Sequence, residues 1–354
     1  MTASVSMAAP LSPARLLRRL ADWRITLPLA LAGSVLAALS LGKFAMAPGE
    51  IPKLFCAMAG ACTMAPERMA TLANVVIDIR LPRVAAAVLV GAALASSGAA
   101  FQAVFRNPLA SPSLLGVLAG ASFGAALGIV LGAPWGGVQA LAFVMGLAAV
   151  AFGGTIAALF RGAPVVMLVL GGMISTALFA ALLSIVKFVA DPVNQLPNIV
   201  YWLMGNLGQS DLAQVTALAP LMLGGVVALC ALGRGLDLLA MGDDEARSLG
   251  VPASALRFGA LALATFVSAL TVSLAGMIGW VGLIVPHVAR LALGAGNSRL
   301  IPASAMLGAI FLLAADVLAR TVADVEIPIG IVTELLGIPV FLAVLGRVRR
   351  GWNE

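Results

Sequence analysis

The chain has 354 residues, 62% of them hydrophobic and only 10% charged, with a formal net charge of +6. An apolar share this far above the ~45–50% of soluble domains, with a mean hydropathy of +1.09, excludes a water-soluble globular domain. The chain belongs in a bilayer, and its basic excess is accounted for by membrane topology without a nucleic-acid partner.

The first apolar run begins only after Arg15, Arg18, Arg19 and Arg24. Residues 1–24 are therefore expected to be a retained cytoplasmic tail and not a cleaved signal. Crossing ~30 Å of hydrocarbon takes about 20 predominantly apolar residues in a helix. Ten such runs follow within residues 25–350, which predicts one all-α integral membrane domain of about ten transmembrane helices. They are 25–44, 84–104, 114–131, 138–160, 165–189, 212–232, 256–275, 279–293, 300–319 and 327–345.

Cys56 and Cys62 fall between the first two runs, where they form either a disulfide or a chance pair of loop thiols; Cys230 lies in the sixth. In the third run Gly116, Gly120, Gly124 and Gly128 recur every four residues, continued by Gly132 and Gly136. Such a row strips side chains from one ridge and predicts a groove for a neighbouring helix. Tyr201 and Trp202, between runs five and six, have the character of interfacial aromatics.

Between runs six and seven, residues 242–257 (GDDEARSLGVPASALR) gather unusual charge. Acids at the start, Arg247 further on and then Gly250 and Pro252 predict a short amphipathic helix; a plain solvated connection is the simpler alternative. Glycine and proline also interrupt runs eight and ten, in residues 282–287 (GLIVPH) and 334–340 (ELLGIPV). Broken helices at membrane depth are a transporter feature.

His287 is the only histidine, which is too few for a His-rich metal permease or a haem site; a local hydrogen-bonding role is expected. No lysine precedes Ser or Thr, so the P-loop signature is absent. Neither a catalytic constellation nor a metal site nor a cofactor of its own is expected. Two carboxylates fall inside the runs, Asp316 and Glu334. Asp316 stands four residues before Arg320, close enough for neutralisation. Glu334 leaves an ion-coupled relay open as a competing reading.

Placing both termini inside puts fourteen Arg on inner segments and seven Lys or Arg on outer ones, in keeping with the positive-inside bias.

Residues 80–128, the GDDEARSLGV stretch, residues 276–294 (GMIGWVGLIVPHVARLALG) and residues 314–342 together resemble the FecCD family, the permease subunits of ABC importers for iron chelates, haem and vitamin B12. The likeness spans nearly all of 25–350 in matching order. It implies a vitamin B12 importer permease-like fold and a homodimer with the pathway on its two-fold axis. It also implies two cytosolic ATPase subunits that hold ATP and Mg, a periplasmic binding protein outside, and placement in the bacterial inner membrane.

By the same resemblance, a coupling loop at about 236–255 forms two short helices that receive the ATPase, with Gly242, Asp243, Asp244, Glu245, Ala246, Leu249 and Gly250 fitting the pattern. Arg80, Arg83 and Arg320 would dock the binding protein, unless they are interfacial snorkelling residues. Asn107 and Leu109, in residues 106–112 (RNPLASP), would form one side of the cytoplasmic gate. Val165 and Val166 stand at the other side, where residues 161–166 (RGAPVV) depart from the usual Ser-, Thr- or Arg-rich pattern. Gly171, Gly172, Ser175 and Thr176 would line the pathway. Molybdate-type importers share this architecture.

Overall fold

In the computed structural model, the described residues are 22–350 apart from 45, 48 and 161–163, with the side chains of 164 and 343–350 also outside the described set. The expected tail (1–24) and the RGA of the second gate segment therefore lie almost wholly outside it. Helix α1 spans Trp23–Ser40, and Asp22 caps its first turn through Arg24 N. Two short helices follow, α2 (Glu50–Met58) and α3 (Pro66–Ala73), and then a π-helical stretch, Asn74–Arg80, runs directly into α4 (Leu81–Phe105). A 3₁₀ turn, Pro112–Leu115, precedes α5 (Val117–Val130), α6 (Trp135–Leu159), α7 (Pro164–Val189) and α8 (Gln195–Leu203). Next come α9 (Leu212–Ala231), α10 (Gly233–Met241), α11 (Asp243–Ser248), α12 (Ala253–Ala275), α13 (Val281–Leu293), α14 (Asn297–Thr321) and α15 (Ile329–Arg350).

Among the described residues seven helices are long and apolar enough to cross a membrane, and three shorter apolar ones, Val117–Val130, Val281–Leu293 and Ile329–Leu342, bring the set to ten. Each matches one of the ten apolar runs of the sequence. The second run is the most altered, because it continues upstream as one helix over Pro66–Phe105. Long-range contacts mark two ends of the bundle: at one, Arg106 meets Leu239 and Asp243, and Asp237 meets Asn297; at the other, Arg80 meets Leu39 and Phe44, and Arg83 meets Glu326.

Helix α4 is buried on almost every side, as expected of a helix that is apolar all round. Glycine permits this crowding. A Cβ at Gly91 would overlap the Gly308 carbonyl of α14, and one at Gly98 would overlap the Gly282 carbonyl of α13. The glycine ridge of α5 forms the expected groove: Cβ atoms at Gly120 and Gly124 would strike the Met145 and Leu141 carbonyls of α6, and one at Gly128 would sit 3.1 Å from Val138 Cα. The groove stops there, because Gly132 and Gly136 have nothing within 4 Å.

The expected breaks in runs eight and ten lie elsewhere. Helix α13 continues through Gly282–His287 with Pro286 inside it, and α15 runs through Pro339. Pro286 has no N–H for the Gly282 carbonyl four residues earlier. The Gln102 amide compensates by donating to Leu283 O at 3.1 Å and Gly282 O at 3.5 Å. The interruption falls instead at residues 276–280, an irregular crossing between α12 and α13 in which Trp280 adopts φ +70°. Beside it, the turn after α8 is bonded to the end of α12, where Asn206 N donates to Ala275 O (2.9 Å), and to the start of α15, where Gly330 N donates to Met204 O (3.0 Å) and Ile329 N to Gly205 O (3.2 Å). Cys56 and Cys62 are joined as a disulfide with Cα atoms 5.3 Å apart.

Candidate functional site

The charged stretch is a built ledge. Asp243, Asp244 and Glu245 occupy the first turn of α11 and Arg247 its last, as the helix dipole favours. Gly242 enters at φ +143°, and a side chain there would overlap the Glu245 carboxylate. Gly250, at φ +79°, follows the helix and leaves it in a conformation glycine tolerates best. Ala246 is fully buried beneath the helix, whereas Asp244, Glu245, Leu249 and Gly250 face outward.

Asp243 ties the ledge to the bundle. Its Oδ1 accepts from Arg257 Nη2 of α12 at 2.5 Å and from Arg106 Nη2 at 3.2 Å. The Arg257 hydrogen bond holds this carboxyl below the usual carboxylate range, with the Arg257 and Arg106 charges adding to it. Arg106 also donates to Leu239 O of α10 at 2.6 Å. It closes α4 in the left-handed region at φ 48°, uncommon for a residue with a side chain. Asp237 of α10 accepts from Asn297 N (2.5 Å) and Ser298 N (3.2 Å), capping α14 from outside that helix. Arg106, Arg257 and Asp237 have no place in the sequence-derived site, yet a charge in so apolar a chain was itself the signal.

The turn after α4 is shaped by Asn107, whose Oδ1 accepts from Leu109 N at 2.9 Å, an Asx turn. It projects Leu109 outward, 51% exposed. Val166 is likewise exposed and Val165 half-buried at the start of α7. The pathway assignment fares differently along α7. A Cβ at Gly171 would overlap Gly153 O and one at Gly172 would overlap Leu114 O, while buried Ser175 donates to Ala149 O at 2.6 Å. These three face α6 and the 3₁₀ turn, so they pack helices together, and Thr176 alone of the four is exposed. The open face of α7 carries Leu170, Met173, Ile174 and Leu178.

At the opposite end Arg80, Arg83 and Arg320 do come together, but they are buried, with 4%, 8% and 6% exposure. Arg83 Nε meets Asp316 Oδ1 at 2.7 Å and its Nη1 meets Glu326 Oε2 at 2.8 Å; Arg320 Nε lies 3.1 Å from Asp316 Oδ2. Arg80 donates to the carbonyls of Leu39, Ser40 and Phe44 at 2.7–2.8 Å, and Arg320 to Ala38 O at 2.6 Å. Held by these contacts, the three guanidinia clamp the loop from inside and expose little surface to a partner, contrary to the expected surface role. Exposed charge nearby comes from Lys43, which donates to Asp324 O, and from Glu326. Glu334 is exposed on α15 and makes no ion pair among the described residues.

The decisive comparison is of the whole chain, since residues 29–347 match the FecCD transport family. The chain belongs to the FecCD transport family. The molybdate import system permease protein of Haemophilus influenzae is 35% identical over 88% of this chain and 92% of its own length. A probable iron chelatin transport system permease protein of Helicobacter pylori is 40% identical over 80% of this chain and 86% of its own. Among solved structures, a metal-chelate type ABC transporter in an inward-facing conformation superposes with a TM-score of 0.81 at 33% identity, covering 91% of this chain and 98% of that one. This FecCD chain is thus a multi-pass membrane permease of the ABC-importer type.

Proposed function

We propose that this permease is the membrane-spanning subunit of an ATP-driven importer that moves a metal chelate, an iron-siderophore, haem or cobalamin, from periplasm to cytoplasm. It acts as a homodimer in the bacterial inner membrane with both termini cytoplasmic. Two cytosolic ATPase subunits bind ATP and Mg, and a periplasmic binding protein delivers the cargo. The positive-inside distribution of arginine supports the orientation.

The observation that carries this reading is the double engagement of Asp243. One carboxylate oxygen holds Arg257 at the root of α12 and Arg106 at the root of the gate turn. A push on the exposed acids of α11 is therefore delivered to Asn107 and Leu109 without passing through a flexible segment. At the other end, the binding protein docks on the loop that the buried arginines hold in shape. With the three arginines engaged internally, exposed charges such as Lys43, Asp324 and Glu326 are within a partner's reach, and rim charges of this kind mainly set docking rate and orientation.

Proteoliposomes with the partner ATPase and binding protein test the reading. Uptake should require ATP and persist when ion gradients are collapsed; uptake driven by a proton gradient without the ATPase would overturn it. A second reading, import of a tetrahedral oxyanion, is favoured by the Haemophilus relative. Titrating the binding protein with molybdate, haem, cobalamin and ferric siderophores separates the two.

A further inference from the structure

A cleft of about 370 Å³ opens between the gate turn and the ledge, lined by Gln102, Arg106, Asn107, His287, Arg290 and Asn297 among others. Its volume is in the range of small-molecule sites, about 300–1,000 Å³. Two of its walls are chemically unfinished. Arg290, in the last turn of α13, is half-buried and makes no ion pair among the described residues; its one side-chain contact is to the neutral amide oxygen of Gln102 at 3.0 Å. His287 lies one turn earlier, and both of its ring nitrogens are buried without a hydrogen-bond partner.

The local carboxylates do not repair this. Asp243 is engaged by Arg257 and Arg106, and Asp237 by the first amides of α14. The carboxyl end of α13 favours a cation through its dipole, but a guanidinium partly withdrawn from water without a counter-ion remains unfavourable. Buried imidazole nitrogens likewise call for a partner.

We propose that this cleft binds a phosphate group, with the Arg290 guanidinium as its principal ligand, Arg106 adding charge at the mouth and the His287 ring donating a hydrogen bond. A tetrahedral, multiply acceptor oxyanion matches the forked donors of arginine. Two sources share this chemistry: an anionic phospholipid headgroup reaching in between helices, as basic interhelical pockets allow, or a soluble phosphate. The proposal rests on the gate turn assigned above, but its test does not depend on which cargo is carried. A bound anion would bridge α4 and the gate turn to α13 and the end of α10, and so set how freely the gate turn moves against the ledge.

The test uses the full-length protein in nanodiscs and reads its thermal unfolding midpoint. Discs of phosphatidylcholine alone are compared with discs containing one-third phosphatidylglycerol, and inorganic phosphate is titrated into the phosphatidylcholine discs. A rise of several degrees is expected. A rise in the phosphatidylglycerol discs alone assigns the headgroup, and a saturable rise with phosphate assigns the soluble source. Arg290→Gln should abolish most of the rise, Arg290→Lys should keep part of it, and His287→Phe should weaken it. Should Arg290→Gln fail to fold, His287→Phe carries the same comparison. No rise in either arm, or a rise undiminished in both Arg290→Gln and His287→Phe, overturns the proposal. Since no transport is measured, the result is independent of the cargo.

Discussion

Asp316 and Arg83 stand 233 positions apart in the chain and 2.7 Å apart in the structure. Asp316 has no exposed surface and faces Arg320 with its second oxygen, so one buried carboxylate is shared by two cations, with Glu326 supplying the second negative charge through Arg83. Removing one partner of a buried ionic group costs about 3–5 kcal/mol because it strands the other. Asp316→Ala should lose that much stability in reversible unfolding. Glu326→Gln, at the 44% exposed end of the same network, should lose no more than about 1 kcal/mol.

Asp243→Asn should leave the bundle folded while uncoupling it. With the ATPase and binding protein present, uptake is expected to fall at least tenfold while ATP hydrolysis continues. The pH dependence follows from the depressed carboxyl. A group whose pKa is lower folded than unfolded stabilises above its unfolded value, near 3.9, and loses that contribution as pH falls through the folded one. Hydrogen-exchange protection factors over α10 and α11 should therefore be high at pH 7 and fall only well into the acid range. In Asp243→Asn they should be low throughout.

The glycines of α5 and α6 separate packing from mere presence. Gly124→Ala places a methyl against the Leu141 carbonyl and should cost about 1–3 kcal/mol, as over-packing does. Gly136→Ala meets open space and should change stability by no more than about 0.5 kcal/mol. Thermal midpoints of the two variants, measured in one detergent, decide the point.

The Cys56–Cys62 bond should appear as an intact mass two hydrogens short under non-reducing conditions and recover them on reduction. By the chain-entropy account a loop this short is stabilised by roughly 2 kcal/mol. The double serine variant should show faster hydrogen exchange in α2 and α3 and unchanged exchange in α4.

Much of the architecture could be read from residue pattern alone, because a bilayer demands length and apolarity before anything else. The ten runs, the α5 glycine groove and the α11 helix with acids at its start all emerged from local sequence. Facing was harder. Gly171, Gly172 and Ser175 are small enough to border a channel or to receive a neighbour, and only the carbonyls of Gly153, Leu114 and Ala149 decide between the two. The arginines of the loop end misled for a similar reason. A basic residue at an interface reads as exposed until a carboxylate from a distant helix, here Asp316, is known to reach it. Prolines misled too, because the backbone group freed by Pro286 is satisfied by Gln102, far off in the chain. Within the ledge, the charged residues were visible, but Arg106 and Arg257 came into focus only once α4, α10 and α12 met.

The twenty-five residues of α14 reach about 37 Å, with Asp237 fastened at one tip and the Arg83–Asp316 pair near the other. A helix gripped at both extremities behaves as a connecting rod. Under the coupling proposed above, a displacement at the Asp237 tip would be carried along this rod to the Arg83–Asp316 tip in the same stroke, so the two ends of the bundle would not move independently.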